Sequence, residues 1–260
     1  MNILDQIIEH KKKEVAERKS IYPVKQLEQS VFFSRPTHSL KQSLLQKDKS
    51  GIIAEFKRQS PSKGEINMDA NVEQTTKGYI EAGAIALSIL TDKDFFGGTN
   101  TDLIKARSIN DSPILRKDFI VDEYQIIEAK SIGADVILLI AAALEPERIK
   151  LLATVAHLLK LEVLLEVHSL EELQVNLSSK IDLIGVNNRD LKTFEVSLDV
   201  SRKLSEHIPQ EVVKISESGI TYPESVIELR KFGYEGFLMG ENFMKHSQPE
   251  VAAKEFIDSL

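Results

Sequence analysis

From Ile52 onward, short apolar runs alternate with longer segments in which apolar residues recur at helical spacing. The apolar runs predict eight strands, and the segments between them predict eight helices. The predicted strands cover residues 52–57, 84–90, 113–117, 136–140, 162–167, 183–187, 212–216 and 236–239. The predicted helices cover residues 71–82, 100–109, 122–132, 145–160, 169–177, 198–206, 223–232 and 249–259.

Several predicted helices have recognisable ends. Asp122, Ser169 and Thr221 carry side-chain oxygens that suit an N-cap, the position just before the first helical residue. Gly83 and Gly133 follow two other helix ends and suit a C-terminus, because glycine adopts positive φ without strain. These signals support the boundaries that the apolar pattern predicts.

The order of the elements predicts the fold. Residues 136–140 are apolar throughout, which is typical of a parallel strand covered by helices on both faces. Eight alternating strands and helices predict an α/β fold, the closed (β/α)8 TIM barrel, with an open doubly wound sheet as the alternative. No Gly-x-Gly-x-x-Gly motif follows the first strand, which disfavours a dinucleotide-binding sheet.

Residues 1–50 follow a different pattern and predict three helical segments. The first starts at Ile3, and the others cover residues 24–29 and 39–46. This region has too few apolar residues for its own core, so we expect an N-terminal helical extension of a single domain spanning residues 1–260. Its apolar side chains are expected to cover the barrel mouth; they are Ile3, Leu4, Ile7 and Ile8.

A run of three lysines, Lys11 to Lys13, lies in the first helical segment. A phosphate-binding or membrane-binding patch is one interpretation. Because Glu14 and Glu17 interleave with basic residues, we predict a solvated helix face instead.

Composition narrows the class of protein. The 260 residues are 42% hydrophobic with a net charge of -7, so a large core is expected and nucleic-acid binding has no support. The absence of cysteine excludes disulfides, thiolate metal sites and a cysteine nucleophile. There is no signal-peptide pattern and no apolar run near the roughly 18 residues of a membrane helix, so we expect a cytoplasmic protein that binds no membrane.

In a TIM barrel the active site lies where the strands run into their following loops. Most of the predicted strands end in polar or glycine residues at this position. They are Glu55, Lys57 and Ser60; Lys117 and Asp118; Glu166 and His168; Asn187, Asn188, Arg189 and Asp190; Ser216, Glu217, Ser218 and Gly219; and Gly240, Glu241 and Asn242. Such a concentration on one rim predicts an active site.

The charged residues of the first strand have both a structural and a catalytic interpretation. Ile53, Glu55 and Lys57 share one face, since side chains alternate along a strand. A buried acid and base are costly unless they are paired or used, so a structural ion pair and a catalytic pair both stay open. Pro61 and Gly64 then break the strand and leave backbone N–H groups free for an anion.

The rim residues indicate phosphate binding and acid-base chemistry. Gly219 and Gly240 follow the last two strands, where TIM barrels bind phosphate, and the alternative is that both are only turn residues. Lys57 and Lys117 can pair with anions, donate protons if burial lowers their pKa, or form a Schiff base. Glutamates at the ends of strands one and five can orient these lysines or act as bases.

Histidine and phenylalanine residues indicate less about the chemistry of the site. We expect His168 to cap the turn after the fifth strand, and no histidine pair has metal-ligand spacing, so no metal is predicted. Phe95, Phe96 and Phe119 lie on rim loops. They either anchor these loops or form the walls of an aromatic substrate site.

These motifs resemble the indole-3-glycerol-phosphate synthase family of tryptophan biosynthesis. The resemblance covers nearly the whole chain and includes its N-terminal extension. The matching motifs are Ala54 to Gly64, Leu90 to Gly98, Pro113 to Phe119, Leu165 to His168, Gly185 to Leu191, and Ser216 to Ile220. It implies ring closure of 1-(2-carboxyphenylamino)-1-deoxyribulose 5-phosphate with loss of carbon dioxide and water, without a cofactor.

The resemblance also implies residue roles. Lys117 is the expected general acid, and Glu166 the base or the stabiliser of a cationic intermediate. Glu55 is expected to orient the lysines, and Lys57 to hold the substrate carboxylate and transfer protons. Asn187 and Ser218 would position the substrate, with Arg189 and Glu217 bracing them. The other expected substrate contacts are Ser60, Gly219, Gly240 and Glu241 at the phosphate, and Phe96 and Phe119 at the ring.

One departure from the family pattern follows Glu241, where Asn242 and Phe243 replace a small residue and leucine. This leaves side-chain roles on that loop open. A Schiff-base aldolase and a non-catalytic binding barrel are the alternative functions. The expected partner is a small phosphorylated substrate only, and the expected oligomeric state is a monomer.

Overall fold

The computed structural model describes residues 3–177 and 180–260. Among them are eight barrel strands: β1 (Ile52–Phe56), β4 (Ala86–Leu90), β5 (Ile114–Lys117), β6 (Val136–Ile140), β7 (Glu162–Val167), β8 (Leu183–Asn187), β9 (Val213–Glu217) and β10 (Tyr234–Met239). They are parallel and close in the order β1-β10-β9-β8-β7-β6-β5-β4. The predicted TIM barrel is therefore confirmed, and the open sheet is wrong. A small antiparallel hairpin, β2 (Gln59–Ser60) and β3 (Gly64–Glu65), follows β1.

Helices connect the strands on the outside of the barrel. They are α4 (Val72–Glu81), α5 (Asn100–Ile109), α6 (Glu123–Ile132), α7 (Pro146–Leu158), α8 (Leu170–Asn176), α9 (Asp199–Ser205), α10 (Pro223–Arg230), α11 (Glu241–Met244) and α12 (Pro249–Ile257). A 3-10 turn at Ala141–Ala143 precedes α7. None of the helices in these described residues is long and apolar enough to cross a membrane.

The predicted helix caps are mostly present. The side chains of Asp122 and Ser169 accept hydrogen bonds from the first turns of α6 and α8. Gly133 ends α6 at φ 96°, as a left-handed cap requires. The prediction for Thr221 is wrong, because the residue before α10 is Tyr222 and it makes no side-chain cap bond.

The apolar residues form two cores, one inside the barrel and one between the barrel and its helices. On β1, Ile53 lies in the inner core, whereas Ile52 and Ala54 lie in the outer one. This alternation points Glu55 and Lys57 toward the barrel axis, where both line the cavity at the carboxyl end of the strands.

The N-terminal region forms α1 (Ile3–Ile21), α2 (Val24–Leu27) and α3 (Leu40–Leu44), and its parts lie at opposite ends of the barrel. On α1, Ile3, Leu4 and Ile7 line the cavity at the carboxyl end, as the expected cover of the barrel mouth requires. On α3, Leu40 and Leu44 join the inner core. Thus α3 closes the amino end of the barrel.

The prediction of a solvated face for the three lysines is wrong for Lys11. Its side chain is 1% exposed and lies beside Asp92 and Asp118 on the rim, whereas Lys12 and Lys13 are exposed. The three consecutive lysines predict a charged helix surface. The sequence does not show that Lys11 alone contacts two buried carboxylates, because that contact depends on the tertiary fold.

Candidate active site

A cavity of about 580 Å³ opens at the carboxyl end of the strands. All the residues that the sequence analysis assigned to catalysis or substrate binding line it. They are Glu55, Lys57, Ser60, Phe96, Lys117, Phe119, Glu166, Asn187, Arg189, Glu217, Ser218, Gly219, Gly240 and Glu241. The barrel therefore brings together residues from the carboxyl ends of seven strands and the loops that follow them.

Lys117, at the end of β5, is held between two carboxylates. Its Nζ lies 2.7 Å from Glu166 Oε2 on β7 and 3.1 Å from Glu217 Oε2 on β9. All three side chains are largely buried. A single ammonium thus serves two carboxylates in a poorly solvated place, which perturbs the pKa of all three groups.

The protonation states of this cluster differ from the expectation that burial lowers the lysine pKa. Burial alone would lower the pKa of Lys117, but the charges of Glu166 and Glu217 outweigh it and raise the pKa above its usual range. Burial would raise the pKa of Glu166, yet Lys117 and His168 lower it well below its usual range. In Glu217, burial and the charge of Glu166 outweigh Lys117 and raise the pKa to about 7. Near neutral pH, the cluster therefore contains an ammonium, a carboxylate and a partly protonated carboxyl group.

The second lysine forms a separate pair. Lys57 Nζ lies 2.8 Å from Glu55 Oε1, and Ser88 Oγ donates to Glu55 Oε2 at 3.2 Å. A Cβ atom at Gly240 would lie 2.7 Å from Glu55 Oε1. Gly240 therefore makes space for the Glu55 carboxylate, a role that the sequence analysis did not predict.

Glu166 has further partners on β8 and after β7. Asn187 Nδ2 donates to Glu166 Oε1 at 3.2 Å, and His168 Nε2 lies 3.4 Å from the same oxygen without hydrogen-bond alignment. The backbone N–H of His168 donates to Glu172 Oε2 at 2.8 Å, and its Nδ1 lies 3.3 Å from the same oxygen. His168 therefore stabilises the turn after β7, as predicted, while Ser169 is the N-cap of the helix itself. Burial would lower the pKa of His168, but Glu166 and Glu172 raise it to about 10.

The loop after β9 has an uncommon backbone conformation. Ser218 and Gly219 both have positive φ values, 66° and 77°. Asn188 Nδ2 donates to the carbonyl of Ser218 at 3.0 Å and stabilises this uncommon conformation. A Cβ atom at Gly219 would lie 2.5 Å from Val196 Cγ1, so the loop after β8 packs closely against this turn.

Charged side chains surround the neighbouring turn before α11. Glu241 lies 3.3 Å from Arg189 Nη2 and 3.4 Å from Lys63 Nζ. Asn242, where the chain departs from the family pattern, donates to the carbonyl of Thr221 at 3.1 Å and accepts from Lys245 at 2.9 Å. The asparagine therefore links the turn before α11 to the loop after β9. Phe243 is buried between the rings of Tyr79 and Phe256.

The three phenylalanines of the rim loops have two different roles. Phe96 and Phe119 line the cavity with ring centroids 5.8 Å apart. Phe95 instead packs its ring edge-on against His10 of α1, with centroids 5.6 Å apart. Of the two interpretations, the loop anchor fits Phe95 and the cavity wall fits the other two residues.

The sequence analysis missed several residues at the site. Gly185 is one, because a Cβ atom there would lie 2.2 Å from Glu217 Oε1. A glycine inside a strand signals such a close approach and could have identified it. Lys63 and Leu191 lie within the matching motifs but had no assigned role. No pattern pointed to Phe194, Val196 and Lys245, which also line the cavity.

A search of residues 3–177 and 180–260 finds no group of three or more histidine, aspartate or glutamate side chains able to hold a metal ion. The charged side chains that line the cavity include both cations and carboxylates.

Comparison with known proteins identifies the family. The model of the family "Indole-3-glycerol phosphate synthase" matches residues 4–256. The protein of this name from Bacteroides thetaiotaomicron is 50% identical over 259 residues, which cover 100% of this chain and 99% of that protein. The one from Bacillus cereus is 46% identical over 247 residues, 94% of each chain.

Solved structures of lower identity share only the fold. A chain of the tryptophan synthase complex from Pyrococcus furiosus superposes with a TM-score of 0.60 at 15% identity, covering 81% of this chain and 97% of that chain. Thiamine phosphate pyrophosphorylase from Pyrococcus furiosus gives a TM-score of 0.59 at 18% identity, covering 85% and 98%. With the sequence matches over nearly its whole length, this chain belongs to the indole-3-glycerol phosphate synthase family.

Proposed function

We propose that this cavity closes the indole ring of 1-(2-carboxyphenylamino)-1-deoxyribulose 5-phosphate, giving indole-3-glycerol phosphate, carbon dioxide and water. The observation that carries the proposal is the cluster of Lys117 with Glu166 and Glu217 at the centre of the cavity. Ring closure followed by dehydration needs a cation at an oxygen and both an acid and a base. This cluster supplies all three.

In the first step, the ring carbon that bears the carboxylate attacks the ketone of the ribulose chain. The ketone oxygen gains negative charge, and the Lys117 ammonium is placed to donate a hydrogen bond and then a proton to it. The raised pKa of Lys117 keeps the nitrogen charged. A charged amine cannot form a Schiff base, which disfavours the aldolase alternative.

The later steps release carbon dioxide and then water. Loss of the carboxylate restores the electron pair to the ring, and loss of the hydroxyl group as water needs an acid. The Glu166 carboxylate can stabilise the cationic intermediate and accept a proton. Glu217 suits the exchange of a proton near neutral pH, because its pKa is about 7 and its Oε1 is buried without a hydrogen-bond donor in the described residues.

The two ends of the cavity match the two ends of this substrate. The turn at Ser218 and Gly219, with Arg189 nearby, suits the phosphate. The rings of Phe96 and Phe119 suit the aryl group, and Lys57 suits its carboxylate. A non-catalytic binder would need these ends but not the acid-base cluster between them.

The test is turnover of the ribulose phosphate substrate, followed by the fluorescence of the indole product. The chain contains no tryptophan, so the protein adds no indole background. We expect turnover without added metal or cofactor, and no lysine adduct after borohydride treatment. Binding without turnover would support the binding barrel, and a trapped adduct would support the aldolase. Action in the cytoplasm as a monomer stays a prediction.

A further inference from the structure

The buried lysine of α1 has an unusual set of contacts. Lys11 Nζ lies 2.8 Å from Asp92 Oδ2, 3.0 Å from Asp118 Oδ1 and 2.7 Å from Glu14 Oε2. The lysine and both aspartates are about 1% exposed. Burying three charges is costly unless their geometry is maintained, so these contacts fix where α1 lies on the rim. None of these residues takes part in the chemistry proposed above.

Asp92 organises the loop between β4 and α5. Its Oδ1 accepts from the backbone N–H of Phe95 at 2.9 Å, and its carbonyl accepts from the N–H of Gly98 at 2.8 Å. Phe96, one wall of the aryl end, lies between these two anchored residues. The position of Asp92 therefore determines the position of that wall.

Asp118 organises the loop after β5 in the same way. Its Oδ2 accepts from Thr91 Oγ1 at 2.6 Å and from Arg116 Nη2 at 3.1 Å. Its Oδ1, the atom nearest Lys11, also accepts from the backbone N–H of Phe119 at 2.8 Å. Phe119 is the second wall of the aryl end.

The same helix also covers the cavity. Ile3, Leu4 and Ile7 of α1 line it, and Lys11 follows Ile7 by one helical turn. Lys11 therefore connects α1, which covers the cavity, to the two loops that carry Phe96 and Phe119.

We infer that Lys11 is a positioning residue for the aryl end of the site. Its ammonium holds the loops after β4 and β5 together, and so sets the spacing of Phe96 and Phe119, while it keeps α1 over the cavity. The inference rests on the proposed function for the identity of the substrate.

The test compares Lys11→Met, which keeps an unbranched side chain one atom shorter and removes the charge, with Lys13→Met on the exposed face of the same helix. We expect Lys11→Met to raise KM by about tenfold or more and to change kcat by less than about threefold. The reason is that the contacts of Lys117, Glu166 and Glu217 do not include Lys11. Lys13→Met should match the wild type in both constants.

A double variant separates positioning from stability. Lys11→Met leaves Asp92 Oδ2 as a buried charge without a compensating cation, so a loss of Tm is expected from that alone. Adding Asp92→Asn removes this charge and should recover part of the Tm while KM stays raised. If KM returns to the wild-type value together with Tm, or if neither variant folds, Lys11 is only structural and the inference is overturned.

A binding measurement keeps the inference distinct from the proposed function. Anthranilate carries the aryl amine and carboxylate of the proposed substrate and is itself fluorescent. Its Kd should rise by about tenfold in Lys11→Met and stay unchanged in Lys13→Met. A wild type that binds anthranilate but does not turn over would reject the proposed function alone. Equal Kd values in both variants would reject the role of Lys11 alone.

Discussion

Lys117 and Lys57 differ in the number of carboxylates that they contact. Lys117 contacts two, on different strands, whereas Lys57 contacts one, Glu55, among the residues that the structure describes. The proposed reaction begins at an oxygen that needs positive charge, and a central lysine between two acids is better placed for this than a lysine paired on its own strand.

Replacement of Lys117 by methionine should therefore abolish turnover and leave substrate binding measurable. We expect a loss in kcat of about a thousandfold or more, because one group supplies both the charge and the proton. Lys57→Met, the matched comparison, should raise KM and lower kcat together. Measuring Kd by fluorescence beside kcat separates the two cases. A Lys117→Met variant with near wild-type turnover would show that another group is the acid.

The raised pKa of Glu217 predicts how stability and activity change with pH. Its pKa of about 7 lies above the ordinary value of 4.5, so its protonated form favours folding below pH 4.5 and this contribution is lost as the pH rises through about 7. Glu217→Gln should therefore gain Tm relative to the wild type between pH 5 and pH 8. The variant should also lose an inflection near pH 7 in kcat/KM. A Tm difference that does not change with pH would contradict this account.

Gly219 follows β9 and Gly240 follows β10, and the two glycines have different structural roles. Gly219 has a φ of 77° and faces Val196, whereas Gly240 has a negative φ and faces Glu55. The sequence analysis treated both as parts of one phosphate cradle. The structure places only Gly219 in a left-handed turn.

Valine at the two positions should produce different kinetic defects. Gly219→Val should raise KM, because the turn that suits the phosphate cannot keep its conformation. Gly240→Val should lower kcat as well, because the added side chain would displace the Glu55 carboxylate that pairs with Lys57. Competition by inorganic phosphate checks the first effect: its inhibition constant should rise more in Gly219→Val. If both variants bind phosphate like the wild type, the cradle lies elsewhere.

The strands and most helix ends were predictable because their signals are local. The apolar runs locate β6, β7 and β8 to the residue, and Asp122 caps α6 through a bond within its own turn. The burial of Lys11 was not predictable, because its two aspartates come from the loops after β4 and β5, far along the chain. The same holds for the pKa of Glu217, which depends on three separate strands.

At the scale of the whole molecule, chemistry and stability lie at opposite ends of the barrel. The carboxyl end carries the polar cavity and α1. The amino end is closed by α3, whose cap residue Ser39 donates to Glu162 at the start of β7. Deleting the whole N-terminal extension would therefore damage both ends, whereas removal of α1 alone should impair activity more than folding.

Helix α3, which closes the amino end of the barrel, allows a test of whether stability and activity depend on opposite ends. Leu40 is fully buried in the inner core, and Leu45 on the next turn is 56% exposed. Leu40→Ala should lower the free energy of unfolding by about 2–5 kcal/mol, because it leaves a cavity in the barrel. Leu45→Ala should change it by less than about 0.5 kcal/mol. Both variants should keep kcat and KM at temperatures well below Tm, since neither residue lines the active-site cavity. Urea unfolding with parallel kinetics measures this, and a raised KM in Leu40→Ala alone would show that the two ends are coupled.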